Sequence, residues 1–208
     1  MIRLDILLFY GYEFLSAFLP FMIVFFILSK KKNCHISKTS CMLLIIFSIY
    51  VIAVYHFTGA GTLQELHTFQ LKINRYELNF IPFSNEIDIV GYLLNILLLI
   101  PFGILVPFLW GKMNNFLYIA ETGLLFSLFI ECSQLLNNRS TDVDDLIMNT
   151  IGAVIGLMLY RIFDKLTKSN YQRKDIPAFL LAISILIPFL GRFLFFNEMG
   201  LAHLLYDF

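Results

Sequence analysis

Charge is scarce in this 208-residue chain: Asp, Glu, Lys and Arg make up only 14% of it. Soluble domains carry about 25% charged residues, so the chain lacks the polar coat that a water-exposed surface needs. The charge present also cancels, with fifteen Lys and Arg against fifteen Asp and Glu, leaving no basic surplus for nucleic acid. Cysteine is nearly missing. Cys34, Cys41 and Cys132 are odd in number and show no C-x-x-C spacing, which excludes a disulfide framework and a structural zinc site. His35, His56, His67 and His203 show no H-x-x-x-H spacing, so they offer no metal site, and no cofactor is expected. Linkers, low-complexity tracts and a convincing internal repeat are also lacking, and residues 1–208 read as one domain.

Apolar residues fill the chain instead: 59% of it is hydrophobic, 23 residues are Phe, and the mean hydropathy is +0.77. A bilayer core about 30 Å thick takes roughly 20 apolar residues per helix. Six segments approach that length, at Ile6–Leu28, Cys41–Phe57, Gly91–Leu109, Phe116–Leu136, Leu146–Phe163 and Ile176–Phe196. They predict an all-α, polytopic membrane helix bundle of about six transmembrane helices. Pro101 and Pro107 are expected to kink the third span where neighbouring helices enclose it. The first run is not expected to be a cleaved signal, because only Arg3 precedes it while Lys30–Lys32 follow it.

Lysine and arginine sort unequally between the two sides. Lys30, Lys31, Lys32, Lys38, Lys112, Arg161, Lys165, Lys168, Arg173 and Lys174 fall on one, and Arg3, Lys72, Arg75, Arg139 and Arg192 on the other. This bias predicts both termini outside the cell. The Thr58–Val90 loop and the Asn137–Asp145 turn then face outward, carrying most of the acids.

Polar side chains concentrate around that turn. Ser127, Glu131, Gln134 and Asn138 recur at steps of 4, 3 and 4, and Asp142, Asp145, Asn149, Gly152 and Gly156 at steps of 3, 4, 3 and 4. Each set is one helix face, and Arg139 lies between them. Asn95 sits one turn below Gly91 on the third span. Asn95, Glu131, Gln134 and Asn149 are therefore expected at similar depth, meeting in one recess. A carboxylate costs about 2.5–3.5 kcal/mol at a bilayer centre, so Glu131 should face protein or water, with Arg139 as its counter-charge. Asp142 or Thr141 is placed to cap the fifth span, and Asp144, off the polar face, is expected to be solvated. Gly152 and Gly156 form a G-x-x-x-G pair suited to close helix approach. Glu13, in the first span, is a candidate to reach the same recess.

Five patterns follow one another in order: N-x-x-P-F (Asn79, Pro82, Phe83), N-x-x-x-x-x-P-F-G (Asn95, Pro101, Phe102, Gly103), E-x-x-Q (Glu131, Gln134), R-x-x-D-x-D-D (Arg139, Asp142, Asp144, Asp145) and N-x-x-G-x-x-x-G (Asn149, Gly152, Gly156). The set resembles the VanZ-like family of small bacterial membrane proteins, whose namesake is associated with resistance to the glycopeptide antibiotic teicoplanin. The resemblance spans residues 79–160. It implies a bacterial cell membrane and cell-envelope setting and assigns no catalytic residue.

Two readings of the polar set stand side by side. In one it is structural: an ion pair, a helix cap and acids kept wet at the interface. In the other Asn95, Glu131, Gln134, Arg139, Asp142, Asp145 and Asn149 bind a ligand, with Gly152, Gly156, Pro101 and Gly103 packing the helices behind them. The expected partners are membrane lipids and a lipid-linked cell-wall precursor or a glycopeptide antibiotic, and the glycines leave a homo-oligomer open. A non-enzymatic envelope protein is the first expectation. A membrane enzyme with Glu131 or Asp145 as general base and Arg139 on a phosphate is the alternative. A transporter or flippase ranks third, because the inner halves of the spans are almost all Leu, Ile, Val and Phe. No metal is expected, since Arg139 competes for the same carboxylates.

Overall fold

In lipid a backbone can satisfy its own hydrogen bonds within one segment only as a helix, and the long apolar runs of this chain take that solution. The computed structural model describes residues 4–30, 36–70, 78–84, 88–137, 139, 141–167 and 176–206. Asn138, assigned above to a polar face, lies outside the described residues. The helices are α1 (Leu4–Ser29), α2 (Lys38–Thr58), α3 (Leu63–Phe69), α4 (Ile89–Leu109), α5 (Phe116–Gln134), α6 (Val143–Thr167), α7 (Phe179–Phe195) and α8 (Glu198–Tyr206). Asp5–Ser29, Lys38–Phe69, Ile89–Leu109, Phe116–Asn137 and Val143–Thr167 are each long and apolar enough to cross a membrane. Phe179–Phe195 and Glu198–Leu205 meet at a 45° bend and make a sixth span only if taken together. The protein is thus an all-α polytopic bundle.

Local chemistry marks the ends. The Ser37 side chain accepts from the Ser40 N–H to start α2, and Gly59, at φ 65°, closes it in the left-handed region. A loop was expected from Thr58 to Val90, yet α3 lies within it. Thr62 and Glu65 form a reciprocal capping box at its start. Further on, Leu78–Asn79 (β1) pairs in parallel with Thr141–Asp142 (β2), in the register Leu78 to Thr141 and Asn79 to Asp142. That short ladder ties the approach to α4 to the start of α6.

The tightest seam runs between α4 and α6. A Cβ on Gly103 would come within 1.9 Å of the Ala153 carbonyl oxygen. On Gly152 it would meet the Ile96 oxygen at 2.1 Å, and on Gly156 the Ile100 oxygen at 2.2 Å. The backbones therefore touch where only glycine fits, and α4 runs as one helix through Pro101 and Pro107. Beneath this seam Leu99, Phe102, Phe126, Ala153 and Leu157 are fully buried, with Phe47 and Tyr55 of α2 packed alongside.

Candidate functional site

The polar ends of six helices collect at one end of the bundle: the C-terminal turns of α2, α5 and α7 and the N-terminal parts of α1, α4 and α6. Asn95, Glu131, Gln134, Arg139, Asp145 and Asn149 there line one cavity of about 650 Å³. Thr58, Asp88 and Gly91 complete its polar wall. Phe57, Leu94 and Leu97 form the other side, exposed by 75%, 60% and 59%. On a helix in a bilayer such exposed apolar faces meet lipid tails. The recess therefore has a polar floor and a lateral wall of lipid-facing side chains from α2 and α4.

Asp142 is the sequence candidate that does not line the cavity. Its Oδ1 accepts the Asp144 backbone N–H at 2.9 Å, capping α6, and its two carboxylate oxygens take the Asn79 side-chain amide at 3.2 and 3.1 Å. Asn79 Oδ1 in turn accepts from the Ile81 N–H and the Ser84 hydroxyl. The N-x-x-P-F segment is thus held onto the first turn of α6.

Asp144 is not the solvated acid that its position off the stripe predicted. It is 2% exposed, and it accepts the Phe83 backbone N–H at 2.9 Å and the Tyr92 hydroxyl at 2.5 Å. The loop after β1 folds over this side of α6, so the face that periodicity assigns to solvent is covered by chain distant in sequence. Tyr92 and Asn79 are the contributors that sequence reasoning did not assign. Asn79 carried a signal in the N-x-x-P-F pattern, and Tyr92 belongs to none of the five patterns.

Arg139 is not the counter-charge of Glu131. Its Nη1 donates to the Thr58 carbonyl at 2.7 Å, and among the described residues it forms no ion pair. The reason lies at the end of α2. The last carbonyls of α2 have no helical N–H to receive and sit at the negative end of the helix dipole. Gln134 Nε2 donates to the same Thr58 oxygen at 2.8 Å, and Asn137 Nδ2 to the Gly59 oxygen at 2.8 Å.

Glu131 is consequently left without a cation. It is 2% exposed, its Oε2 has no hydrogen-bond partner, and the Asp142 backbone N–H is the donor that faces it. Asn149, also 2% exposed, donates through Nδ2 to the Ser127 hydroxyl at 2.9 Å and leaves Oδ1 unpartnered. Gln134 Oε1 is unpartnered as well, because the Thr58 carbonyl can only accept and so takes the amide nitrogen. Asp145 Oδ1 receives Asn95 Nδ2 at 2.5 Å. Buried polar atoms normally have partners, and one left alone costs about 1–3 kcal/mol. Three acceptors of this kind belong to residues lining one cavity.

Glu13 reaches a different place. It lines an adjacent cavity of about 520 Å³ with His56, Glu65, Arg192 and Glu198, on the far side of Arg139. Its Oε1 pairs with Arg192 Nε at 2.9 Å and its Oε2 with His56 Nδ1 at 2.7 Å. Among the described residues no group of three His, Cys, Asp or Glu side chains is placed to hold a metal ion.

Fold and site together define a polytopic membrane protein with a polar recess at one end, built from a glycine-seamed α4–α6 pair and the end of α5. A family model described as VanZ/LLP1 matches residues 41–164, from the start of α2 to near the end of α6. The match covers more than half of the chain, and the protein belongs to the VanZ/LLP1 family. It takes in the whole recess and leaves α1, α7 and α8 outside. No curated protein and no solved structure matches the chain.

Proposed function

We propose that the protein is a non-enzymatic component of the bacterial cell envelope that holds the head group of an amphiphile in the Glu131 recess. A lipid-linked cell-wall precursor and a glycopeptide of the teicoplanin type are the ligands that its family resemblance suggests. One observation carries the reading: buried acceptors on Glu131, Gln134 and Asn149 stand unpartnered around a cavity whose other wall is lipid-facing. A built polar floor beside an exposed apolar flank suits a molecule with a head and tails. Binding in the outer leaflet would lower a drug's access to its target and contribute to glycopeptide resistance.

The test is retention of lipid-linked precursor or teicoplanin by the purified protein, with Glu131→Ala and Asp145→Ala compared with wild type. Weaker retention by both variants is the expected outcome, and equal retention by all three proteins counts against the reading. We place the recess end outside the cell, because Lys30, Lys38, Lys112, Arg161 and Lys165 all lie toward the opposite end. A membrane-impermeant thiol reagent on intact cells should label Glu198→Cys and spare Lys112→Cys, each in a background without native cysteines.

One observation favours an enzyme as the second reading: Glu131 is free of Arg139 and so remains available as a base. Ser133 is engaged with the Ile130 carbonyl and Ser127 with Asn149, which leaves Thr141, whose Oγ1 has no partner, or water as the nucleophile. Release of a head group from the retained lipid, abolished in Glu131→Gln, would establish it.

A further inference from the structure

The chemistry of the deep wall narrows the ligand class, an inference that rests on the amphiphile reading above. The unpartnered atoms Gln134 Oε1 and Asn149 Oδ1 can only accept, and Glu131 Oε2 accepts when the carboxylate is ionised, the form that a cation beside it favours. An occupant that satisfies them has to donate. The charges agree: among the described residues lining the recess, Asp88, Glu131 and Asp145 stand against Arg139 alone. A phosphate pushed to the floor would meet carboxylates and carbonyl oxygens. A primary ammonium brings three N–H donors and a positive charge.

We propose that the floor of the recess selects a membrane amphiphile carrying a primary ammonium. The ammonium sits at Glu131, Gln134 and Asn149. Arg139, exposed at the mouth, takes the phosphate of a zwitterionic head group, and the acyl chains lie along Phe57, Leu94 and Leu97. Those exposed apolar side chains make lipid, rather than a free amine, the source. A quaternary ammonium fits the charge but has no N–H to give, and an anionic glycerol head group lacks both.

The experiment uses full-length protein reconstituted in nanodiscs of equimolar phosphatidylethanolamine, phosphatidylcholine, phosphatidylglycerol and a monoglucosyl diacylglycerol. Lipid that stays bound after detergent extraction is then quantified. Wild type should retain phosphatidylethanolamine about tenfold over each of the others, the effect of one charge-assisted hydrogen bond. Glu131→Gln keeps the shape but removes the charge and should bring the preference to within about twofold, by the same reckoning. Asp145→Asn, which still accepts from Asn95, supplies a second arm if the first variant folds poorly, and should reduce the preference as well. Equal retention of the glucolipid would show that hydroxyls suffice and overturn the ammonium assignment. Preference for phosphatidylglycerol, or an unchanged preference in both variants, would overturn it too while leaving the amphiphile reading intact. Displacement of bound lipid by millimolar ethanolamine would overturn the membrane source. Failure of wild type to retain any of the four lipids here, together with failure to retain lipid-linked precursor and teicoplanin in the separate retention assay, would instead defeat the amphiphile reading itself.

Discussion

Glu13 and Glu131 are buried carboxylates at the same end of one bundle, 7% and 2% exposed, and they are treated in opposite ways. Glu13 has both oxygens engaged, one by Arg192 and one by His56, and Arg192 also donates through Nη1 to the Ala60 carbonyl. This cluster joins α1, α2 and α7 and closes on itself. Glu131 has an oxygen with no donor, although Arg139 lines the same cavity and turns its Nη1 to a backbone carbonyl. The contrast separates two uses of an intramembrane charge. A paired one fastens helices together, and an unpaired one leaves part of its bonding capacity open. The family match follows the same division, since it includes Glu131 and excludes Glu13 and Arg192.

Breaking the closed cluster should have the largest effect. Arg192→Ala strands a buried carboxylate and is expected to cost about 3–5 kcal/mol, read as a fall in Tm of the detergent-solubilised protein. The double variant Glu13→Leu with Arg192→Met should cost less than that single change, because no charge is left alone. The contrast can then be copied onto another residue. Asn95→Ala removes the amide that Asp145 accepts and turns Asp145 into a second Glu131, at about 1.5–3 kcal/mol for a hydrogen bond to a charged group. Equal unfolding of Asn95→Ala and wild type would show that the Asn95 contact does not secure Asp145.

The open site predicts a much smaller effect. Glu131→Met removes an unsatisfied acceptor but also the acceptor that faces the Asp142 N–H, two opposed effects of about 1–3 kcal/mol each, so Tm should change little while amphiphile retention falls. A loss of stability as large as that of Arg192→Ala would mean that Glu131 is structural after all. The other small change belongs to the outer partner of the closed cluster. The His56 side chain is 39% exposed, and His56→Gln should cost no more than about 1 kcal/mol, leaving Arg192 to hold Glu13.

Much of this arrangement can be read along the chain. The apolar runs mark the spans, and spacings of three and four put Glu131, Gln134, Asp145 and Asn149 on facing helices. Gly152 and Gly156 meet α4 just as a G-x-x-x-G pair suggests. What periodicity misses has a common cause, contact between segments far apart in sequence. Asp144 falls off the stripe and is buried because the chain around Phe83 and Tyr92 covers it. Arg139 is three residues from Asp142 yet bonds to Thr58, since the free carbonyls at the end of α2 are invisible to local spacing. Glu13 and Arg192 stand 179 positions apart; their opposite charges within apolar runs were the only hint of a pair. The helix α3 was legible, because Thr62 and Glu65 have capping-box spacing, but its shortness hid it inside an expected loop.

The turn at residues 58–61 touches everything that matters at this end of the molecule. Its carbonyls receive Gln134, Asn137, Arg139 and Arg192, while the Gly61 N–H is spent on the Ser133 oxygen. Gly59 takes a positive φ there, and a Cβ at that point would press within 2.7 Å of the Arg139 guanidinium. A single kink of main chain is therefore a common keystone for both chambers. Neither chamber can be remodelled through that keystone alone, and a phenotype arising there reports on the pair.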